Sequence, residues 1–527
     1  MKASDAVVSC LENEGVEFVF GIIGKEVIDL ADSLSRSEKI KYIPVRHEQG
    51  AAFMADVYGR ISGKPGVCLA TLGPGATNLL TGVTSANLDH SPLIAITGQT
   101  GLEKQHKHTH QYIDIQNVFG PVTKWAVQIK AAETIPEIIR KSFRAACEEK
   151  PGAVVIELPE NIAMENVTMK PLAVTSLPKS VPAAESLKQA VQLLNASNRP
   201  FIIVGNEIIR QDAVKEVLMF IEQLGSPVAQ SFMAKGILQK AHPQNFHTFG
   251  FAEKDYVLRG FEEADLLVVI GFDVIEKLPS EWNKKKVPVI HISASAAEVD
   301  ECYPVKAELI GNLKVQLPLF LSYEINSKRW LPSGDLKTRI EESYSIIEKA
   351  GGNASLTIEQ ILHAVERVQT EETIVISDVG SHKVSIARTY KPAEANQLII
   401  SNGFASMGIA IPGAIGAKLA APEKTIICII GDGGALMNFS ELETARRLGV
   451  SFVIVLLNNS MLKLEVHTME KKFADSFGVT FSNPDFIQLA EGYGVSGKKV
   501  TNILGLEAAL TEAVNANNEI VLIDIIM

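Results

Sequence analysis

The chain of 527 residues is poor in cysteine. Its five cysteines, Cys10, Cys68, Cys147, Cys302 and Cys428, lie far apart and form no CxxC pair. An odd, scattered set argues against a disulfide framework or a thiolate zinc site and fits thiols kept reduced. There is no long block of like charge. The 61 acidic and 50 basic residues are interspersed and leave a net charge of −11, so general affinity for nucleic acid or an anionic membrane is not expected. The start, MKASDAVVSCLENEGVEFVF, lacks the basic region and apolar core of a secretory signal. The most apolar later stretch, residues 404–421, is interrupted by Pro412 and several glycines, which argues against a bilayer span. These absences point to the cytoplasm as the simplest location.

What is present is the pattern of a layered α/β protein. Hydrophobic residues make up 46% and charged residues 21%, enough apolar material for several cores. At roughly 150 residues per domain, the length suggests three or four domains. Short apolar runs (VEFVFGI, IKYIPVR, GVCLATL, PLIAITG, AVVIELP) alternate with helical patterns such as EQGAAFMADVYGRISG, as in parallel sheets covered on both faces. A first boundary falls at 165–185, where prolines and serines replace periodicity. The pattern restarts with RPFIIVGN, ADLLVVIGFD and VPVIHIS. A second boundary lies between about 325 and 355, where a charged helical segment runs into KAGGNAS, and a third block follows with ETIVISD, KTIICIIGDGG, SFVIVLLNN and EIVLIDII. The expectation is three doubly wound parallel-sheet domains over residues 1–165, 185–325 and 355–527.

The third block carries the most informative motif. Gly431-Asp432-Gly433-Gly434 follows the apolar run TIICII, then comes one helix-like segment, MNFSELETARRLG, then the strand SFVIVLL ending at Asn458-Asn459. Asp432 and Asn459 are 27 residues apart. In a parallel sheet the carboxyl ends of successive strands share one edge, where ligands bind. A carboxylate, an amide oxygen and a nearby backbone carbonyl, at Met461, make an all-oxygen set of the kind Mg²⁺ prefers alongside phosphate oxygens. The glycines admit a diphosphate to the backbone, and the helix start favours its charge. Alone, GDGG is a common tight turn. With Asn-Asn at this spacing it resembles the signature of thiamine-diphosphate enzymes.

A second motif, Arg46-His47-Glu48-Gln49-Gly50, sits at the end of the strand IKYIPV. On its own Glu48 reads as a carboxylate at a helix start, worth a few tenths of a kcal/mol with the dipole. Within the resemblance it corresponds to the glutamate that activates the cofactor: a carboxylate on the pyrimidine ring favours the imino tautomer that takes the C2 proton. In that family this residue and the diphosphate-binding domain come from different subunits. A homodimer or homotetramer with active sites at subunit interfaces is therefore implied.

The resemblance extends along almost the whole chain and is closest to the acetolactate synthases. It assigns three domains: pyrimidine-binding, central and diphosphate-binding. Leu72–Asn78 and Pro92–Gln99 look like their first domain, which makes Gln99 a candidate catalytic residue. Asp378–His382 resembles the segment touching the diphosphate, with Gly380, Ser381 and His382 as binding residues beside Gly431, Gly433 and Gly434. Ser401–Gly408 resembles the loop holding the aminopyrimidine, with Ser406 and with Met407 pressing the cofactor into its bent form. Thr109–Asp114 and Gly271–Glu276 resemble the catabolic, flavin-free branch, and Gln111 becomes a candidate for the substrate pocket with His110. His106 and His108 read equally well as part of a polar loop.

The resemblance implies decarboxylation of pyruvate and carboligation to a second 2-oxo acid, giving 2-acetolactate. One departure stands out. Ser460–Glu470 looks closer to pyruvate oxidases, and a Glu465 or Lys463 turned inward would change the charge of the pocket. A pyruvate oxidase-like enzyme, or a decarboxylase or carboligase of another 2-oxo acid, is thus the alternative. FAD would then occupy the central block, but no G-x-G-x-x-G is found there, so flavin is not favoured.

Overall fold

The computed structural model describes residues 1–326, 328–345, 356–516 and 519–527. Two compact units are formed. One comprises residues 1–177, 403–499 and 513–524, and the other residues 178–402, 500–512 and 525–527. The chain builds three six-stranded parallel sheets with helices around them, which is the expected fold class.

The first sheet lies in the first unit. Its strands are β1 (Phe18–Gly21), β2 (Lys41–Pro44), β3 (Gly66–Ala70), β4 (Leu93–Gln99), β5 (Trp125–Gln128) and β6 (Ala153–Pro159), in the order β2-β1-β3-β4-β6-β5. β3, β4 and β6 are buried along their whole length. That is why they read as continuous Val, Ile, Leu and Ala rather than as alternating strands: helices cover both faces. Cys68, in the middle of β3, is fully buried, and burial pushes its thiol well above the ordinary range. None of the five cysteines is joined in a disulfide.

The second sheet lies in the second unit: β7 (Pro200–Val204), β8 (Val228–Gln230), β9 (Asn245–Thr248), β10 (Leu266–Ile270), β11 (Val289–Ser293) and β12 (Val305–Ile310), ordered β12-β11-β10-β7-β8-β9. Phe201, Phe249, Phe261, Trp282 and Tyr303 form a chain of edge-to-face contacts on one side of it. In the third sheet, β13 (Thr373–Ser377) pairs with β14 (Leu398–Ile400). Within the first unit, β15 (Thr425–Gly431), β16 (Phe452–Asn458), β17 (Ser496–Val500) and β18 (Ile520–Ile526) run in the order β15-β16-β18-β17, repeating the order β3-β4-β6-β5. The charged segment before residue 355 is helical over Leu336–Ser345, whereas KAGGNAS lies outside the described residues.

The helix Glu48–Ser62 sets the packing of the first unit. The His47 Nδ1 accepts from the Gln49 N–H (3.1 Å) at its start, and Gly63, at φ +70°, ends it in the left-handed region. Its small residues let two other helices come very close. A Cβ added at Gly416, in the helix Ala410–Ala420, would lie 2.2 Å from the Met54 carbonyl oxygen. One added at Gly82, in the helix Pro74–Leu88, would lie 2.5 Å from the Ala52 Cβ. The apolar stretch 404–421 thus contains a core helix, Ala410–Ala420, with Pro412 tolerated in its first turn. No helix among the described residues is long and apolar enough to cross a membrane.

The segment MNFSELETARRLG differs from the expected single helix. It divides into Asp432–Asn438 and Glu441–Leu448. The break has a packing cause: Phe439 is buried against Phe486 and Tyr493, and the Asn438 Nδ2 donates to the Gly408 carbonyl (2.8 Å).

The close backbone approach at Gly416 gives a direct test. Gly416→Ala should destabilise the first unit by about 1–3 kcal/mol through overpacking, outweighing the helix-propensity gain of up to ~1 kcal/mol. Urea unfolding of the two proteins would show it as a lower midpoint. An equal or higher midpoint would mean that the two helices are not in backbone contact.

Candidate active site

At the first sheet, β1 is flanked by β2 and β3, and this is where the strand order reverses. Chain segments leaving the carboxyl ends of these strands meet there, as expected for a doubly wound sheet. Glu48 follows β2 by one short turn. Its side chain is buried, and its Oε2 accepts from the Asn78 Nδ2 (2.9 Å). Asn78 belongs to the helix after β3, whose first turn presses Gly75 against the same carboxylate: a Cβ there would sit 3.3 Å from Oε1. Gly73, at φ +57°, makes the turn, and a Cβ on it would meet the Gln111 carbonyl at 2.7 Å. Gln111 is therefore brought against the loop that frames Glu48, with its own side chain exposed.

Gln99 ends β4 on the same edge, but both of its polar atoms are engaged inside the protein. Its Nε2 donates to the Ile113 carbonyl (3.0 Å) and to the Glu157 Oε1 (2.6 Å), and its Oε1 accepts from the Thr100 N–H (2.9 Å). Gln128 donates to the same Glu157 oxygen (3.0 Å), and burial pushes the Glu157 carboxyl up. This network ties the 111–114 segment to the strand ends. His106, His108 and His110 are exposed.

Glu441 is a residue the sequence did not point to. Fully buried at the start of its helix, it accepts from the Arg46 N–H (3.0 Å) and the His47 N–H (3.0 Å) through Oε1, and from the Thr444 hydroxyl (2.7 Å) through Oε2. Burial pushes its carboxyl up, while these donors oppose the shift. Gly50 lies directly beneath it: a Cβ there would lie 2.5 Å from Oε1 and displace the carboxylate. Glu441 thus fixes the two peptide groups that lead into Glu48.

The second constellation lies at the ends of β15 and β16, which are adjacent, with Gly431 opposite Leu457. Asp432 is buried, and its Oδ2 accepts from the Asn459 N–H (2.8 Å), the Ser460 N–H (2.5 Å) and the Asn483 Nδ2 (2.8 Å), while Oδ1 accepts from the Gly433 N–H (2.8 Å). Asn483 also donates to the Asn458 Oδ1 (2.8 Å), and Asn458 donates to the Asp524 Oδ1 (2.9 Å). Burial pushes the Asp524 carboxyl up. Two asparagines therefore link two carboxylates behind the motif. Asn459 turns its Oδ1 to the Met461 N–H (3.1 Å).

The oxygen set of Asp432, Asn459 and the Met461 carbonyl is hard and anionic in one member, which fits Mg²⁺ and suits a softer metal poorly. Elsewhere among the described residues, no three His, Cys, Asp or Glu side chains converge as a metal site. Gly433 completes the cradle. A Cβ on it would crowd the Leu462 Cδ2 (3.2 Å), the Met407 Cε (3.4 Å) and the Phe481 Cζ (3.4 Å), so Met407 is brought to the glycine turn as one wall of an apolar niche. Ser406 precedes it, half-buried, its hydroxyl 3.3 Å from the Met407 carbonyl. Gly434 is buried in the turn of helix that follows. Lys463 and Glu465 are exposed, on a helix (Lys463–Phe473) with no buried residue.

Gly380, Ser381 and His382 belong to the second unit, where Ser381 opens the helix Ser381–Thr389. His382 is buried, and burial pushes its imidazole down to about 4. A hydrogen bond to the Asp378 main chain opposes that shift. The ring Nε2 has no hydrogen-bond partner among the described residues. A buried orphan nitrogen at a helix start fits the approach of an anionic group such as a diphosphate oxygen.

Comparison with known proteins identifies the family. Residues 1–118 match the thiamine pyrophosphate enzyme N-terminal TPP binding domain, 187–320 its central domain, and 378–525 its C-terminal TPP binding domain. The chain belongs to the thiamine pyrophosphate enzyme family. Within that family it is 31% identical to an acetolactate synthase of Bacillus subtilis, over 99% of this chain and 92% of that protein. It is 32% identical to an acetolactate synthase large subunit of Haemophilus influenzae, over 100% and 94%. It is 31% identical to a catabolic acetolactate synthase of Raoultella terrigena, over 98% and 93%.

Two outcomes are expected from this geometry. Glu441→Gln, which keeps shape but loses charge, should lower turnover by up to about 10²-fold through misplacement of Glu48 while cofactor affinity changes little. Steady-state kinetics with a cofactor titration would separate the two, and unchanged turnover would leave Glu441 a purely structural residue. For His382, an anion beside Nε2 favours the protonated ring, so cofactor binding should raise its pKa above about 4. An NMR titration with and without thiamine diphosphate would register the shift, and a ring that titrates identically in both would not face the diphosphate.

Proposed function

We propose that this chain decarboxylates pyruvate with thiamine diphosphate and Mg²⁺ and joins the two-carbon remainder to a second pyruvate, releasing CO₂ and giving 2-acetolactate. The observation that carries the reading is the Glu48 carboxylate, buried at the switch point of the first sheet and aimed by Asn78, the Gly75 turn and Glu441. The cofactor, when bound, supplies a carbon nucleophile and an electron sink for the carbon that loses CO₂. The protein's own residues do the rest. Glu48 holds a proton at a carboxylate oxygen against the aminopyrimidine. Ser406 and Met407 hold that ring. Asp432, Asn459 and the Met461 carbonyl hold Mg²⁺, and Gly431, Gly433, Gly434, Gly380, Ser381 and His382 receive the diphosphate. Gln111 lines the substrate pocket, and Gln99 acts as a positioning residue that anchors the loop bearing Gln111.

A pyruvate oxidase-like reading would require a flavin on the central sheet. Glu207 weighs against it. Buried at the carboxyl edge, it accepts from the Ser293 hydroxyl (2.6 Å) and the Ala294 N–H (2.7 Å). It thereby occupies donors that a dinucleotide phosphate would need and adds a like charge. Lys463 and Glu465 are both exposed in the single chain, on a helix with no buried residue. The assembly belonging to this reading is a homodimer or homotetramer. Exposed apolar side chains near both constellations support it: Ile23 and Ile28 beside the first sheet, and Leu436 and Met437 on the helix opened by Asp432. Domain limits of 1–165, 185–325 and 355–527 and a cytoplasmic location complete the reading.

The test is incubation of the purified protein with thiamine diphosphate, Mg²⁺ and pyruvate, with acetolactate assayed as acetoin after acid treatment. Acetolactate should form with no flavin absorbance near 450 nm. Glu48→Gln should lower turnover by about 10²–10⁴-fold while retaining the cofactor. CO₂ without acetolactate, or a flavin-coloured protein, would overturn the reading.

A further inference from the structure

The second unit contains a small cleft, of about 30 Å³ and open to solvent, between the segment that follows β8 and the end of the helix Ser381–Thr389. Its wall includes Lys235, Lys240, Arg388 and Lys391, with Asn245 and Thr389, and no carboxylate. None of these residues has a place in the cofactor or pyruvate machinery described above. Lys235 is a buried lysine, 8% exposed, with Nζ donating to the Ala387 carbonyl (2.5 Å). Burial pushes its ammonium down to about 7, with Glu366 opposing and Lys391 and Arg388 adding to the shift. Burial, and after it the charge of Lys391, lowers the Lys240 pKa. Lys391 lies 3.6 Å from the Glu366 carboxylate, which is the nearer of two carboxylates acting on this cluster, the other being Glu341 beside His247 (3.5 Å). Arg388 is stacked 4.0 Å over the Phe251 ring and donates to the Glu253 (2.7 Å) and Lys254 (3.1 Å) carbonyls, with Asp255 in range of its charge.

Four cationic side chains line this one cleft. An anion between them turns mutual repulsion into attraction and replaces the water lost by Lys235. Three ammonium groups are compact point charges with rotatable donors. Placed around one volume beside an amide and a hydroxyl, they suit a tetrahedral dianion better than a planar monoanionic carboxylate, which favours the guanidinium fork. We propose that this cleft binds a phosphate-type oxyanion, with Lys235, Lys240 and Lys391 as its charged ligands. The same group could arrive as free phosphate or on a phosphomonoester.

The experiment is calorimetric titration of the holoenzyme, with saturating thiamine diphosphate and Mg²⁺ so that the diphosphate site is filled. Inorganic phosphate and glycerol 3-phosphate are titrated separately at fixed ionic strength against a chloride control. Saturable binding with Kd below about 1 mM is expected for at least one of them. The tighter of the two ligands identifies the source. Lys240→Ala and Lys391→Ala, both at the accessible rim, should each weaken binding at least tenfold without changing turnover measured in phosphate-free buffer. Heat no greater than that of chloride, or equal binding in the double variant, would overturn the proposal.

Discussion

The first unit depends on one steric condition: three helices must touch almost backbone to backbone. Gly416 against Met54 and Gly82 against Ala52 leave no room for a single added carbon. Dispersion contacts are individually small and fall off steeply with distance, so this closeness gives the interface its stiffness. The helix so clamped begins at Glu48, and the helix clamped to it follows directly on the segment bearing Ser406 and Met407. Positioning of the reacting carboxylate is therefore a property of the core before it is a property of the site. Glu441 adds direction by holding the peptide groups of Arg46 and His47, so that packing fixes where the helix is and hydrogen bonding fixes how its first residue is aimed.

The Asp432 end is organised by polar groups. A carboxylate that accepts from three backbone N–H groups and an asparagine is preorganised, and its oxygens cannot rotate freely. Asn483, Asn458 and Asp524 extend that order behind it, each group satisfied by the next. A hard cation added to such a set meets ligands already in place. The arrangement needs two adjacent parallel strands ending at the same level, which the register of β15 and β16 provides.

Much of this was legible in the sequence, for reasons that are local. Strands buried on both faces read as unbroken apolar runs, and the turns between them carry Gly, Asp and Asn, so the three sheets followed from pattern, while Glu48, Asp432 and Asn459 were singled out by the family resemblance. What escaped is long-range. Glu441 acts on residues 395 and 394 positions away, and Asn483 reaches Asp432 across 51. Neither has a neighbouring motif to mark it, because a lone glutamate in an amphipathic helix looks like surface until the fold buries it. The division of that segment at Phe439 was hidden in the same way, since both halves keep helical periodicity and only the packing of one aromatic ring interrupts it. Gln99 was marked by the resemblance of Pro92–Gln99 to a family segment, and what the fold adds is that its amide is bonded to Glu157 and Ile113.

Glu207 carries a consequence for the thermodynamics of the whole molecule. Its carboxylate serves the central sheet as a permanent internal ligand, covalently attached and always at saturating effective concentration. A domain completed by a diffusible ligand gains stability by mass action and loses it when the ligand is scarce. The central domain has no such dependence at this edge.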